Sequence, residues 1–73
     1  MQYTLAVFRA RNETITFASL MRSYGLSVQI INTPRKINVS CGISVKFYKN
    51  NLNVANQLLA RRKFDTFVGF FDF

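Results

Sequence analysis

Hydrophobic and polar positions change their period along the chain, and the changes divide it into elements. YTLAVF at 3–8 is a short apolar run between polar residues and predicts a strand. Phe17, Leu20, Met21 and Tyr24 then recur at helical spacing, with Asn12 as the expected cap, Glu13 in the first turn and Gly25 as the terminator. LSVQII at 26–31 predicts a second strand, with Val28 and Ile30 on one face. ISVKFY at 43–48 alternates cleanly, so Ile43, Val45 and Phe47 point one way and Ser44, Lys46 and Tyr48 the other. Asn50 or Asn51 is the expected cap of a second helix whose Leu52, Ala55, Leu58 and Leu59 form a stripe. TFVGFF at 66–71 reads as the last strand, with aromatic residues on both faces.

The predicted order is β-α-β-β-α-β. Right-handed crossovers make this an α+β, ferredoxin-like arrangement: a four-stranded antiparallel sheet of order 4-1-3-2 with both helices on one face. A chain of 73 residues has room for one core, so residues 1–73 are expected to form a single domain. The apolar fraction of 49% is sufficient for that core.

Charge adds a direction to this frame. Ten Lys/Arg stand against Glu13, Asp65 and Asp72, a formal net charge of +7, which favours anionic partners. The topology brings three connections to one end of the sheet. They carry Arg9 and Arg11, Arg35 and Lys36, and Arg61, Arg62 and Lys63. Cys41 opens the third strand at the same pole, beside the start of the first helix, where unpaired N–H groups favour negative charge. Since the thiolate is the reactive form of cysteine, this placement makes Cys41 the candidate nucleophile. Gly42 beside it permits a tight turn or close approach of a ligand. Plainer readings compete. A lone cysteine is often a small buried hydrophobe, Arg61–Lys63 complement the end of the second helix, and Pro34 stops a strand.

Much chemistry is excluded. Without histidine there is no Ser/Cys–His catalysis and no His-based metal site, and three scattered carboxylates make a glycosidase pair or two-metal centre a poor fit. No metal is expected. One cysteine allows no disulfide within the chain and suits a reducing cytosol. MQYTLAVFRAR lacks the basic and small-residue features of a signal peptide, and no apolar run approaches the ~20 residues needed to span a bilayer. A cytoplasmic protein without a membrane segment is the expectation.

The stretch TPRKINVSCGIS, with Phe8 closing the first strand and Gly25 the first helix, resembles the signature of a small bacterial family. This is the putative selenium/sulfur carrier protein-like family, and the matching positions are Phe8, Gly25, Pro34, Arg35, Ser40, Cys41 and Gly42. The resemblance implies a carrier rather than a stand-alone enzyme. Cys41 would hold sulfur or selenium as a persulfide-type adduct, with no other cofactor, and exchange it with a donor or acceptor protein. Arg35, Lys36, Arg9 and Arg11, with Ser40 and Gly42, are the expected thiolate-stabilising surroundings. Two other functions stay open. One is RNA binding through Tyr48 and Lys46 on the open sheet face, although ISVKFYK lacks the usual third-strand recognition pattern. The other is a non-catalytic interaction module that forms a homodimer through Ile31 and the aromatic tail Phe70, Phe71 and Phe73.

Overall fold

The computed structural model describes residues 2–73. Its elements are β1 (Tyr3–Phe8), α1 (Arg11–Ser23), β2 (Val28–Asn32), β3 (Ile43–Tyr48), a 3-10 turn (Lys49–Asn51), α2 (Leu52–Arg61) and β4 (Phe67–Asp72). The sheet order is β2-β3-β1-β4, with every neighbouring pair antiparallel. This is the ferredoxin-like βαββαβ arrangement that the periodicities predict. Both helices lie on one face, where Phe17, Ala18 and Met21 of α1 and Ala55 and Leu58 of α2 bury against Ala6, Phe8, Val45 and Phe47.

Phe8 is the hub of that core. Its ring stands 5.3 Å from Phe17, 5.3 Å from Phe64 and 5.2 Å from Phe67, so it ties β1 to α1, to the loop after α2 and to β4. A register shift between Val7 and Phe8 on the β1–β4 ladder leaves Val68 as an extra residue. Phe67 and Phe70 therefore both face the helices, whereas Val68 and Phe71 pack with Leu5 and Val7 on the other face. Strict alternation would put Phe67 and Phe71 together.

Several boundaries differ from the sequence reading. Helix α1 begins two residues early: its N-cap is Ala10, and Asn12 lies inside the first turn and caps nothing. Tertiary hydrogen bonds, described below, anchor this end to the loop before β4, but they run through the Glu13 carboxylate and the Arg9 and Ala10 N–H groups and do not cap the first helical turn. The Gly25 terminator is present, with φ +81°, as are both bonds of a Schellman closure: Gly25 N–H to the Arg22 carbonyl (2.9 Å) and Leu26 N–H to the Met21 carbonyl (3.2 Å). Because Leu26 serves that closure, β2 starts at Val28 instead of 26 and runs through Asn32. Tyr24 falls beyond the last helical turn and is 50% exposed, so it leaves the apolar face it was assigned to. Asn51 stands at the N-cap position of α2, as expected, but makes no side-chain cap bond, and a 3-10 turn leads into the helix. The last strand runs 67–72, one residue later than expected.

The long β2–β3 connection covers part of the sheet face that the helices leave open. Pro34 to Ile37 is a turn closed by the Ile37 N–H donating to the Pro34 carbonyl at 2.9 Å. It points Arg35 and Lys36 into solvent and drives Ile37, 8% exposed, against Leu5 and Val7. A chain of hydroxyls closes the loop. Gly42 N–H donates to Ser40 Oγ (2.9 Å), Ser40 Oγ donates to Thr33 Oγ1 (2.8 Å), and Thr33 Oγ1 bonds Ser44 Oγ (2.6 Å).

Candidate functional site

Cys41 sits where β3, the end of β1 and the start of α1 meet. Its N–H donates to the Phe8 carbonyl at 3.1 Å, which extends the β1–β3 ladder by one bond and fixes the residue beside the β1–α1 connection. Cys41 has the parity of Ile43, Val45 and Phe47, so its side chain leaves the sheet on the helix side. The sulfur is 3.4 Å from Thr14 Oγ1 and 3.6 Å from the Ile43 carbonyl. The residue is half-buried and free.

Thr14 is fully buried in the first turn of α1. Its hydroxyl reaches the Ala10 carbonyl at 3.2 Å, an acceptor that also takes the Thr14 N–H at 3.2 Å. The hydroxyl can therefore rotate to donate to an anionic sulfur while the Ala10 carbonyl keeps a partner. A neutral thiol is served by the reverse polarity, with the sulfur donating to Thr14 or to the Ile43 carbonyl. The Thr14 hydroxyl thus serves both states of the sulfur, whereas the Ile43 carbonyl, which only accepts, serves the thiol alone.

The start of α1 is clamped to the loop before β4. Glu13 accepts hydrogen bonds from the Thr66 hydroxyl (2.5 Å), the Thr66 N–H (2.9 Å) and the Asp65 N–H (3.0 Å). Thr66 in turn accepts from the Ala10 N–H at its hydroxyl (3.1 Å) and from the Arg9 N–H at its carbonyl (2.9 Å). The Thr66 hydroxyl is the main reason that the Glu13 carboxyl titrates below its ordinary 4.5; partial burial opposes the shift and the two N–H groups add to it. Because the folded value is depressed, the stabilisation from this carboxylate is complete above about pH 4.5 and is lost as pH falls through the folded value. Glu13→Gln should therefore remove part of the acid sensitivity that sets in as pH falls below about 4.5 and cost roughly 1–2 kcal/mol at neutral pH, since water reaches this edge. Urea midpoints measured from neutral pH to below that value check both. A parallel pH dependence for wild type and variant would contradict the clamp.

The expected site residues do not converge as a set. Ser40 and Gly42 adjoin Cys41, but Ser40 is engaged by Gly42 and Thr33 and so holds the loop closed. Arg9 and Arg11 flank the β1–α1 junction and are exposed. Arg35 and Lys36 occupy the Pro34 turn, whose Ile37 anchors on the face of the sheet opposite to that of the thiol. Arg61 donates to the Tyr24 hydroxyl at 3.2 Å, and Lys63 stands 4.0 Å from Asp65. The sulfur's hydrogen-bonding contacts are to Thr14 and Ile43, not to a cation. Thr14 was missed in the sequence reading, yet a signal existed: it is in helical phase with Phe17, Ala18 and Met21, a polar residue on the buried stripe.

Fold and site together define a ferredoxin-like domain that presents one half-buried thiol, backed by a hydroxyl, at a helix N-terminus. The chain belongs to the putative Se/S carrier protein-like family, whose model matches residues 3–66. The matched region holds β1 through the Thr66 clamp and stops short of β4. No curated protein and no solved structure matches the chain. No helix among the described residues is long and apolar enough to cross a membrane.

Proposed function

We propose that this protein carries sulfur or selenium on Cys41, taking it from a donor protein and handing it to an acceptor. The observation that carries the reading is the chain's one cysteine, inside the region matched by the family, standing half-buried against the Thr14 hydroxyl at the first turn of α1. Loading would proceed by attack of the Cys41 thiolate on the outer sulfur of a donor persulfide. The donor S–S bond breaks, the donor leaves as thiolate, and Cys41 gains a persulfide with no net oxidation or reduction. Thr14 would donate its hydroxyl hydrogen to the anionic sulfur, and the N-terminal dipole of α1 would favour the same charge. The covalent adduct is the only cofactor the reading requires.

A lone cysteine suits a carrier for a further chemical reason. A second thiol in the chain could attack the inner sulfur, form a disulfide and expel the cargo as sulfide. With one cysteine among 73 residues that intramolecular route does not exist, so the adduct persists until a partner takes it. Incubation with a cysteine desulfurase and cysteine, followed by intact-mass measurement, should show a single sulfur-sized gain, removed by a thiol reductant. Cys41→Ser should show none. An unchanged mass for the wild type, or an equal gain in the variant, would overturn the reading.

A further inference from the structure

The open face of the sheet carries a second surface, remote in kind from the thiol. Tyr48 of β3 pairs across the ladder with Tyr3 of β1, and their rings stack at 4.9 Å with 28° between planes. Phe73 donates its N–H to the Tyr3 carbonyl at 3.3 Å, placing a third ring in the same cross-strand row. The Lys46 Nζ reaches over two of the three, 4.3 Å from the Tyr3 centroid and 4.8 Å from that of Phe73. Tyr48 is 41% and Phe73 39% exposed, so both offer ring surface to solvent.

The charged side chains described on this face have one sign. Lys46 is the ionic side chain on its strand positions, and Asp72 pairs in register with Thr4 on the opposite face and binds Lys49 at 2.7 Å. At the other end, the turn anchored by Ile37 holds Arg35 and Lys36 in solvent, neither of them in an ion pair among the described residues. From Ser44, which bonds the loop through Thr33, to Tyr48 the strand rises about 13 Å. Aromatic rings therefore lie at one end of a short track, a lysine beside them and two cations at the far end.

We infer that this face binds single-stranded nucleic acid. Bases stack on Tyr48 and Phe73, and backbone phosphates meet Lys46, Arg35 and Lys36. The pairing of open rings with unopposed cations selects this polymer. An acidic peptide would use the charges and leave the rings without a role, and a duplex hides its bases from them. Stacking tolerates any base, so affinity for a flexible homopolymer is expected without a sequence code.

The test uses the full chain, a fluorescently labelled oligouridine and its duplex with oligoadenosine, with polyglutamate as competitor. The single strand should bind more tightly than the duplex and resist the competitor. Three phosphate contacts should give a slope of log affinity against log salt of about −2. Tyr48→Ala should weaken binding about tenfold, Tyr48→Phe should retain it, and the Arg35→Ala/Lys36→Ala pair should flatten the salt slope. Cys41→Ser should bind like wild type, which separates this surface from the carrier reading. Equal affinity for duplex and single strand, full displacement by polyglutamate, or a Tyr48→Ala affinity within twofold of wild type would overturn the inference. Tyrosine fluorescence quenched on titration in the wild type, but much less in Tyr48→Ala, would confirm the contact from the protein's side.

Discussion

Phe8→Ala is expected to lower stability by about 3–5 kcal/mol, because it empties a fully buried site at the junction of three other rings. A chain of this length is ordinarily stable by roughly 4–11 kcal/mol, so the substitution would remove from about a quarter of that stability to all of it. The loss should extend to the thiol. The Phe8 carbonyl holds the Cys41 N–H, and its ring packs against Phe17 of α1 and against Phe64, which also meet each other at 5.7 Å. Urea titration followed by far-UV circular dichroism gives the size of the effect, with Phe73→Ala as the control. Phe73 is partly exposed, and its removal should cost less than about 1 kcal/mol. Equal losses for the two variants would show that the aromatic cluster is not organised around Phe8.

Ile37→Asp should produce the second large effect, at least about 2 kcal/mol, by stripping apolar cover from Leu5 and Val7 and placing a charge against them. Its neighbours should behave differently. Arg35→Ala and Lys36→Ala alter the exposed top of the same turn and should leave stability within about 0.5 kcal/mol of wild type. Hydrogen exchange adds a local readout: detaching Ile37 should speed exchange at the Thr33 N–H, which donates to the Gly42 carbonyl, before it reaches the β1–β3 ladder. A silent Ile37→Asp would mean that the loop stands free of the sheet. The loop is therefore long for a mechanical reason as well as a chemical one. It crosses an open sheet face, seats one isoleucine there, and returns Cys41 to the opposite side of the sheet.

Local rules carried most of the architecture. The alternation in ISVKFY, the helical spacing of Phe17, Leu20 and Met21 and the terminating Gly25 each act over a few residues, and crossover handedness then orders the strands. What escaped depends on distant partners. Asn12 looked like a cap, but Glu13 and Thr66, 53 residues apart, secure that helix end instead. Ile37 and Val39 are the two aliphatic residues of a polar loop, and nothing local says that Ile37 is buried while Val39 stays exposed. The extra residue in β4, which sends Phe67 and Phe70 to one face, comes from pairing with β1 and leaves little trace in TFVGFF.

The site divides in the same way. Cys41 was legible as the one thiol, and its place near α1 followed from topology. The surrounding arginines were legible only as a charge count at one pole, because sequence does not say to which side of a sheet a connection folds. Ile37 decides that side for Arg35 and Lys36. The aromatic row of Tyr48, Tyr3 and Phe73 joins both ends of the chain to its middle and required the ladder registers.

Carriage, as distinct from mere modification of a thiol, is tested by one loading and discharge cycle. Protein loaded from a cysteine desulfurase is freed of donor and exposed to cyanide, which removes an outer sulfane sulfur as thiocyanate and returns the thiolate. The account predicts about one thiocyanate per chain, restoration of the unmodified mass, and a second round of loading to the same level. A Cys41 that accepts no sulfur, or that ends in a product cyanide cannot discharge, would contradict it.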